Sequence, residues 1–204
     1  MGPLVSKSVN AADTPQLLPN PRRIVTAHDA RGNAVVQSDG LIPAEVGSPA
    51  FGTSTTRGVD LGTAGEQRAG TARGGSITSS MPVEDNNDNI DGAAREIGGL
   101  GLVMPNGTNH RYTDLAPGAV TPMHRTNSLD YNILISGEVV LILEDGTETH
   151  LKNPGDVVVQ KGTMHAWRNP RSQWCRWVSV LIDAKPAVIE GKALDEAWIP
   201  TAIG

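Results

Sequence analysis

Along residues 98–185 the chain alternates short apolar runs with turn residues. "GGLGLVMPNGTNHRYTDLAPG", "LDYNILISGEVVLILEDGTETHLKNPGDVVVQKGTMHAWRNP" and "CRWVSVLIDA" are rich in Val, Ile, Leu and Thr, and each run closes on Pro-Gly, Asp-Gly, Asn-Gly or a similar breaker. No helical period separates them. The pattern predicts an all-β, antiparallel sandwich or barrel over residues 98–185.

The first half reads differently. Residues 1–21 are polar and proline-punctuated and predict a flexible arm. Two β-prone runs, Ile24–Ala27 and Ala34–Gln37, flank the turn signal Asp29–Asn33 and predict a hairpin over residues 22–42. Residues 43–97 shift to Gly, Ser, Thr and Ala, with too little apolar area to fold alone. This irregular segment is expected to be a lid or an excursion with one or two edge strands. In the tail, residues 186–204, "GKALDEAWI" predicts a short helix. There is no internal repeat.

A period of two also sorts polar side chains by face. His124 and Thr126 share a side, as do Asp130, Asn132, Leu134 and Ser136, and again His165, Trp167 and Asn169. Three polar-tipped sets turned into a barrel is unusual, because a buried polar group left unpaired costs about 1–3 kcal/mol. A ligand, a metal or mutual hydrogen bonding must satisfy them. Tyr131 and Arg125 fall on the opposite face.

Composition narrows the function. Of 204 residues, 38% are hydrophobic and 3% aromatic, with 23 Gly and 14 Pro, which favours short strands over long helices. A formal charge of -5 offers no basic footprint for nucleic acid. The one cysteine, Cys175, allows no internal disulfide and reads as a buried thiol. Neither a signal peptide nor a membrane span is recognisable, so a cytoplasmic protein is expected. The "NGT" at Asn106–Thr108 reads as a turn rather than a glycosylation site. Trp167, Trp174 and Trp177 form a dense cluster, which reads equally as a pocket wall for a flat ligand and as core. His110 and His150 are expected to be solvated, and His28 has no assigned role.

These residues resemble the cupin superfamily. Gly118, His124, Asp130 and Gly137 follow the spacing of its first motif, with Thr126 in place of the second histidine and Asp130 in place of the glutamate. Gly162, His165 and Asn169 follow the second motif, although Gln160 replaces its proline and the interval from Gly155 is one residue short. The stretch over about residues 98–185 is similar to small single-cupin proteins of fungi, often encoded beside secondary-metabolite genes. The resemblance implies a single cupin double-stranded β-helix, a jelly-roll barrel, and a homodimer.

It also implies a divalent transition metal, Fe, Mn, Ni, Zn or Cu, held by His124, Asp130 and His165. Two imidazoles and one carboxylate leave open positions for substrate and O₂, and they equally suit Zn²⁺ with a bound water. Thr126, Asn132 and Trp167 would line the substrate pocket. The expected function is metal-dependent oxidation or oxygenation of a small apolar substrate, polyketide-type molecules included. The alternatives are a lyase, dehydratase or cyclase using the same three residues as acid/base groups, and a small-ligand-binding cupin without turnover.

Overall fold

The computed structural model describes residues 18–42, 70–88, 90–97 and 101–199. Residues 1–17 of the arm and residues 43–69, where a lid is expected, lie outside that set. β1 (Arg22–His28) and β2 (Ala34–Leu41) form a hairpin, followed by β3 (Gly70–Thr78), β4 (Thr108–Leu115) and β5 (Met123–Arg125). Next come β6 (Ser128–Ser136), β7 (Val139–Leu143), β8 (Glu148–Leu151), β9 (Val157–Lys161), β10 (His165–Arg168) and β11 (Cys175–Asp183). The tail contributes β12 (Val188–Ile189), β13 (Lys192–Ala193) and β14 (Ala197–Ile199).

Two five-stranded sheets carry the fold, ordered β14-β5-β10-β7-β8 and β3-β4-β11-β6-β9. Every pairing is antiparallel, and most neighbours are distant in sequence, because the chain crosses between sheets after β4, β5, β6, β8, β9 and β10. This is the jelly-roll arrangement, and the fold is all-β. Among the described residues no helix is long and apolar enough to cross a membrane.

Turn chemistry fixes the crossings. Gly146 adopts φ +83° after Asp145, whose carboxylate accepts the Thr147 N–H at 2.9 Å. Gly137, at φ +80°, joins β6 to β7 where an added Cβ would lie 2.7 Å from the Cβ of Cys175. Only glycine fits there without strain.

Residues 70–78, within the irregular segment, form an edge strand on β4, as the excursion reading allows, because the ladder hydrogen bonds offset their poor apolar content. One element differs from the sequence reading. Among the described residues the tail forms no helix: Ala197–Ile199 pairs with Arg125–Met123 at the edge of the other sheet. Pro200 follows directly and disfavours helical backbone at Ile199.

Between the sheets lies a core of Leu115, Leu134, Val139, Leu141, Leu151, Trp167, Cys175 and Trp177. On the outside of β4 and β11, the buried Arg176 holds Asp114 through two hydrogen bonds of 2.5 and 2.8 Å and donates to the Pro19 carbonyl at 2.7 Å. The chain leading into β1 is thereby anchored to the barrel wall.

Candidate functional site

The inner faces change character along their strands. On β6 the buried side chains run Ser128, Asp130, Asn132, Leu134, and on β11 they run Leu181, Ser179, Trp177, Cys175. One end of the barrel is therefore filled with hydrocarbon and the other with polar groups. At the polar end a cavity of about 470 Å³, its mouth counted, is lined by all six residues singled out above: His124, Thr126, Asp130, Asn132, His165 and Trp167.

His124 on β5 and His165 on β10 are direct partners in the ladder, and their rings lie 4.2 Å apart, tilted by 49°. Each Nδ1 donates to a carbonyl two residues back, His124 to Pro122 and His165 to Thr163, both at 2.9 Å. A carbonyl only accepts, so both imidazoles carry their proton on Nδ1 and keep a lone pair on Nε2. Burial holds His124 below the usual imidazole range. His165 is pushed down to about 3, by burial first and by its neighbour His124 second. Both rings are neutral at physiological pH.

Asp130 faces them from the other sheet. Its Oδ1 is buried with no hydrogen-bond partner among the described residues. Burial pushes its carboxyl up to about 6, against the opposing pull of the Ser128 hydroxyl. Thr126, at the position of the missing histidine, shares a 2.8 Å hydrogen bond with Ser128. Thr126, Ser128 and Asp130 thus form one chain of contacts. Asn132 is held from both sides, accepting from Ser179 at 2.6 Å and donating to Gln160 at 3.3 Å. Trp167 meets the edge of His165 at 5.8 Å and lies 5.5 Å from Trp177, so it serves as both pocket wall and core.

The donor set has the chemistry of a divalent-metal site: two neutral imidazoles with free Nε2 lone pairs, and a buried carboxylate oxygen lacking a partner. The imidazoles are adjacent. Among the described residues no three His, Cys, Asp or Glu side chains are gathered into a metal-holding group, and Asp130 reaches one methylene less far than the glutamate of the resembling motif.

Several other residues reach the site or its frame. Arg111 and Thr113 of β4, Ser179 and Trp177 of β11, and Thr121 also line the cavity. Trp198 of β14 packs on His124 at 5.2 Å. In "NHRYTDL" both faces of the strand are polar, so no hydrophobic phase marks Arg111 as inward; the proline after "AWI" was the available signal for β14. Asn169 shares the motif but not the cavity: it is fully buried, donates to the Leu115 and Gln173 carbonyls at 3.0 and 2.8 Å, and accepts from the Arg171 N–H. His150 is paired with Glu138 at 2.6 Å rather than solvated alone. His110 is half-buried and packs edge-on to Tyr112 at 5.2 Å.

A cupin domain model matches residues 111–181. Phomopsin biosynthesis cluster protein D of Diaporthe leptostromiformis is 35% identical over 198 residues, covering 93% of this chain and 92% of that protein. The cupin-domain-containing oxidoreductase srdB of Neurospora crassa is 35% identical over 181 residues, covering 87% of this chain and 81% of that one. Among solved structures, the polyketide cyclase RemF from Streptomyces resistomycificus aligns with 13% identity and a TM-score of 0.45, over 79% of this chain and 82% of its own.

Proposed function

This chain belongs to the cupin family, and from that premise we propose that it is an enzyme of secondary metabolism, an oxidoreductase acting on one small molecule in the polar end of the barrel. Cluster proteins and cupin-domain oxidoreductases among its relatives support the setting. The observation that carries the reading is the adjacent His124–His165 pair with both tautomers fixed. Nε2 of each ring would hold a divalent transition metal, Fe, Mn, Ni, Zn or Cu, and the Asp130 carboxylate, which is not gathered with the rings in this structure, would join them on binding. When bound, such an ion supplies Lewis-acid or redox chemistry at its open positions.

The chain itself supplies the rest. The carbonyls of Pro122 and Thr163 lock the imidazoles in orientation, as outer partners of ligating histidines do. Trp167 and Trp177 offer flat apolar walls that exclude water and stack a planar substrate. Asn132, fixed by Ser179 and Gln160, presents a rigid polar edge beside the substrate.

Metal analysis of the purified protein tests the proposal. About one ion per chain is expected after loading with each candidate metal in turn, falling to background in His124→Ala and His165→Ala. A wild-type protein that takes up none of the five sinks it. One observation favours a second reading: a carboxyl held near pH 6 with a free oxygen, opposite neutral imidazoles, is equipped for general acid/base work. Under that reading, substrate conversion persists in chelator and disappears in Asp130→Asn.

A further inference from the structure

Three rows of buried side chains cross β4, β11 and β6 in register. The row of Asp130 is Asn109, Leu181, Asp130; the next is Arg111, Ser179, Asn132; the third is Thr113, Trp177, Leu134. In the middle row Ser179 and Asn132 satisfy one another. Arg111 stands at its far end, 7% exposed, in the wall of the same cavity as the histidine pair. Its charge is felt there, for after burial it contributes to holding His124 low.

Position keeps this charge apart from Asp130. The two residues lie on strands separated by β11, about 10 Å apart at the backbone, and one row out of line. Between Arg111 and Asn132 the floor is the small Ser179. A fixed cation therefore occupies one wall, a carboxylate another, and two neutral imidazoles face both from the opposite sheet. A purely hydrocarbon substrate would press against a guanidinium, which costs free energy. A planar anionic group matches the planar guanidinium fork.

We propose that Arg111 is a specificity-determining residue that docks a carboxylate of the substrate and so sets the rest of the molecule against His124 and His165. The inference rests on the cavity being the small-molecule site. It refines the substrate class from simply apolar to a flat apolar body bearing an acidic oxygen group.

Binding of benzoate and of its uncharged analogue benzamide, followed by tryptophan emission in the presence of chelator, tests the proposal. Trp167, Trp177 and Trp198 surround the site and report occupancy. Benzoate is expected to bind on the order of tenfold or more tighter than benzamide, as a charge-assisted pair requires. Arg111→Gln should reduce benzoate to the benzamide level, and Arg111→Lys should retain part of the preference. Equal affinity for the two probes in the wild type, no saturable benzoate binding, or undiminished benzoate affinity in Arg111→Gln would each overturn it. If Arg111→Gln does not fold, the wild-type comparison and Arg111→Lys decide. Because chelator is present throughout, failure here leaves the metal proposal standing, and an absent metal leaves this one standing.

Discussion

Replacing Asp130 by asparagine should make the metal-free protein more stable relative to wild type as pH rises. The side chain is 5% exposed, and its carboxyl titrates at about 6 instead of an ordinary 3.8. A folded-state pKa above the unfolded one means that the native state prefers the protonated acid. The favourable contribution is complete below pH 3.8 and is lost as pH rises through about 6. A shift of roughly 2 units at 1.36 kcal/mol each gives an order-of-magnitude penalty of about 3 kcal/mol on the native state near neutrality.

Asparagine has nearly the same shape and does not ionise, so it escapes this pH dependence. It introduces an amide N–H₂ that needs a partner, at about 1–3 kcal/mol, but that cost is constant with pH. Titration of His124 and His165 is common to both proteins and cancels to first order. The informative quantity is therefore how the stability difference between variant and wild type changes with pH. Roughly 2 of the 3 kcal/mol should appear between about pH 4.5 and about pH 7.5. Urea unfolding followed by tryptophan fluorescence, with chelator, measures it. A difference that stays within about 0.5 kcal/mol over that range refutes the buried, unpartnered carboxylate. In metal-loaded protein the trend should reverse, because a cation bound at Oδ1 stabilises the ionised form.

Three further outcomes can be checked on the same protein. Gly137→Ala places a Cβ 2.7 Å from that of Cys175 at φ +80°, and should lower stability by about 3 kcal/mol or more in thermal unfolding; a neutral substitution would mean that the β6–β7 turn relaxes freely. Cys175 is fully buried and its thiol is pushed up to about 12, mainly by burial, so it should resist a thiol reagent near pH 8 in native protein and react fully in denaturant. Rapid native labelling would contradict that placement. Asn169→Ala removes three hydrogen bonds, one of them buried, and should cost about 2–4 kcal/mol in urea while leaving benzoate affinity unchanged in the folded protein, since its side chain pins a turn and does not line the cavity.

The barrel strands were legible because their apolar runs alternate in phase with one buried face and stop at Asp-Gly and Pro-Gly turns. Period two placed His124, Asp130, Asn132, His165 and Trp167 on shared faces, and the resembling motifs singled them out from the others on those faces. Arg111 did not, because β4 carries Asn109, Arg111 and Thr113 on one face and His110, Tyr112 and Asp114 on the other. With polarity on both faces, only the pairing with Trp177 and Ser179 on β11 decides which face turns in. β3 and β14 were obscure for a related reason: an edge strand is stabilised by ladder hydrogen bonds and a few contacts, so its own sequence need not carry a strong pattern. Trp198 reaches His124 through such an edge, and that contact is a matter of register that one strand's sequence does not contain.

The position of Thr126 bears on why the site keeps its polarity after losing an imidazole. A histidine there would direct a third ring into the cavity; threonine instead bonds Ser128, whose hydroxyl supports Asp130. The substitution thus moves polar contact from the pocket centre to the wall that carries the carboxylate. Asp130 keeps one supported side and one free oxygen, in a cavity shared with two neutral imidazoles and within the field of Arg111. A site that had lost its use would gain stability by replacing Asp130 with an apolar side chain, since the buried carboxylate costs about 3 kcal/mol near neutrality. That cost falls at the end of the barrel where the core gives way to the cavity, which is the expected place for a group that binds or reacts under the proposed function.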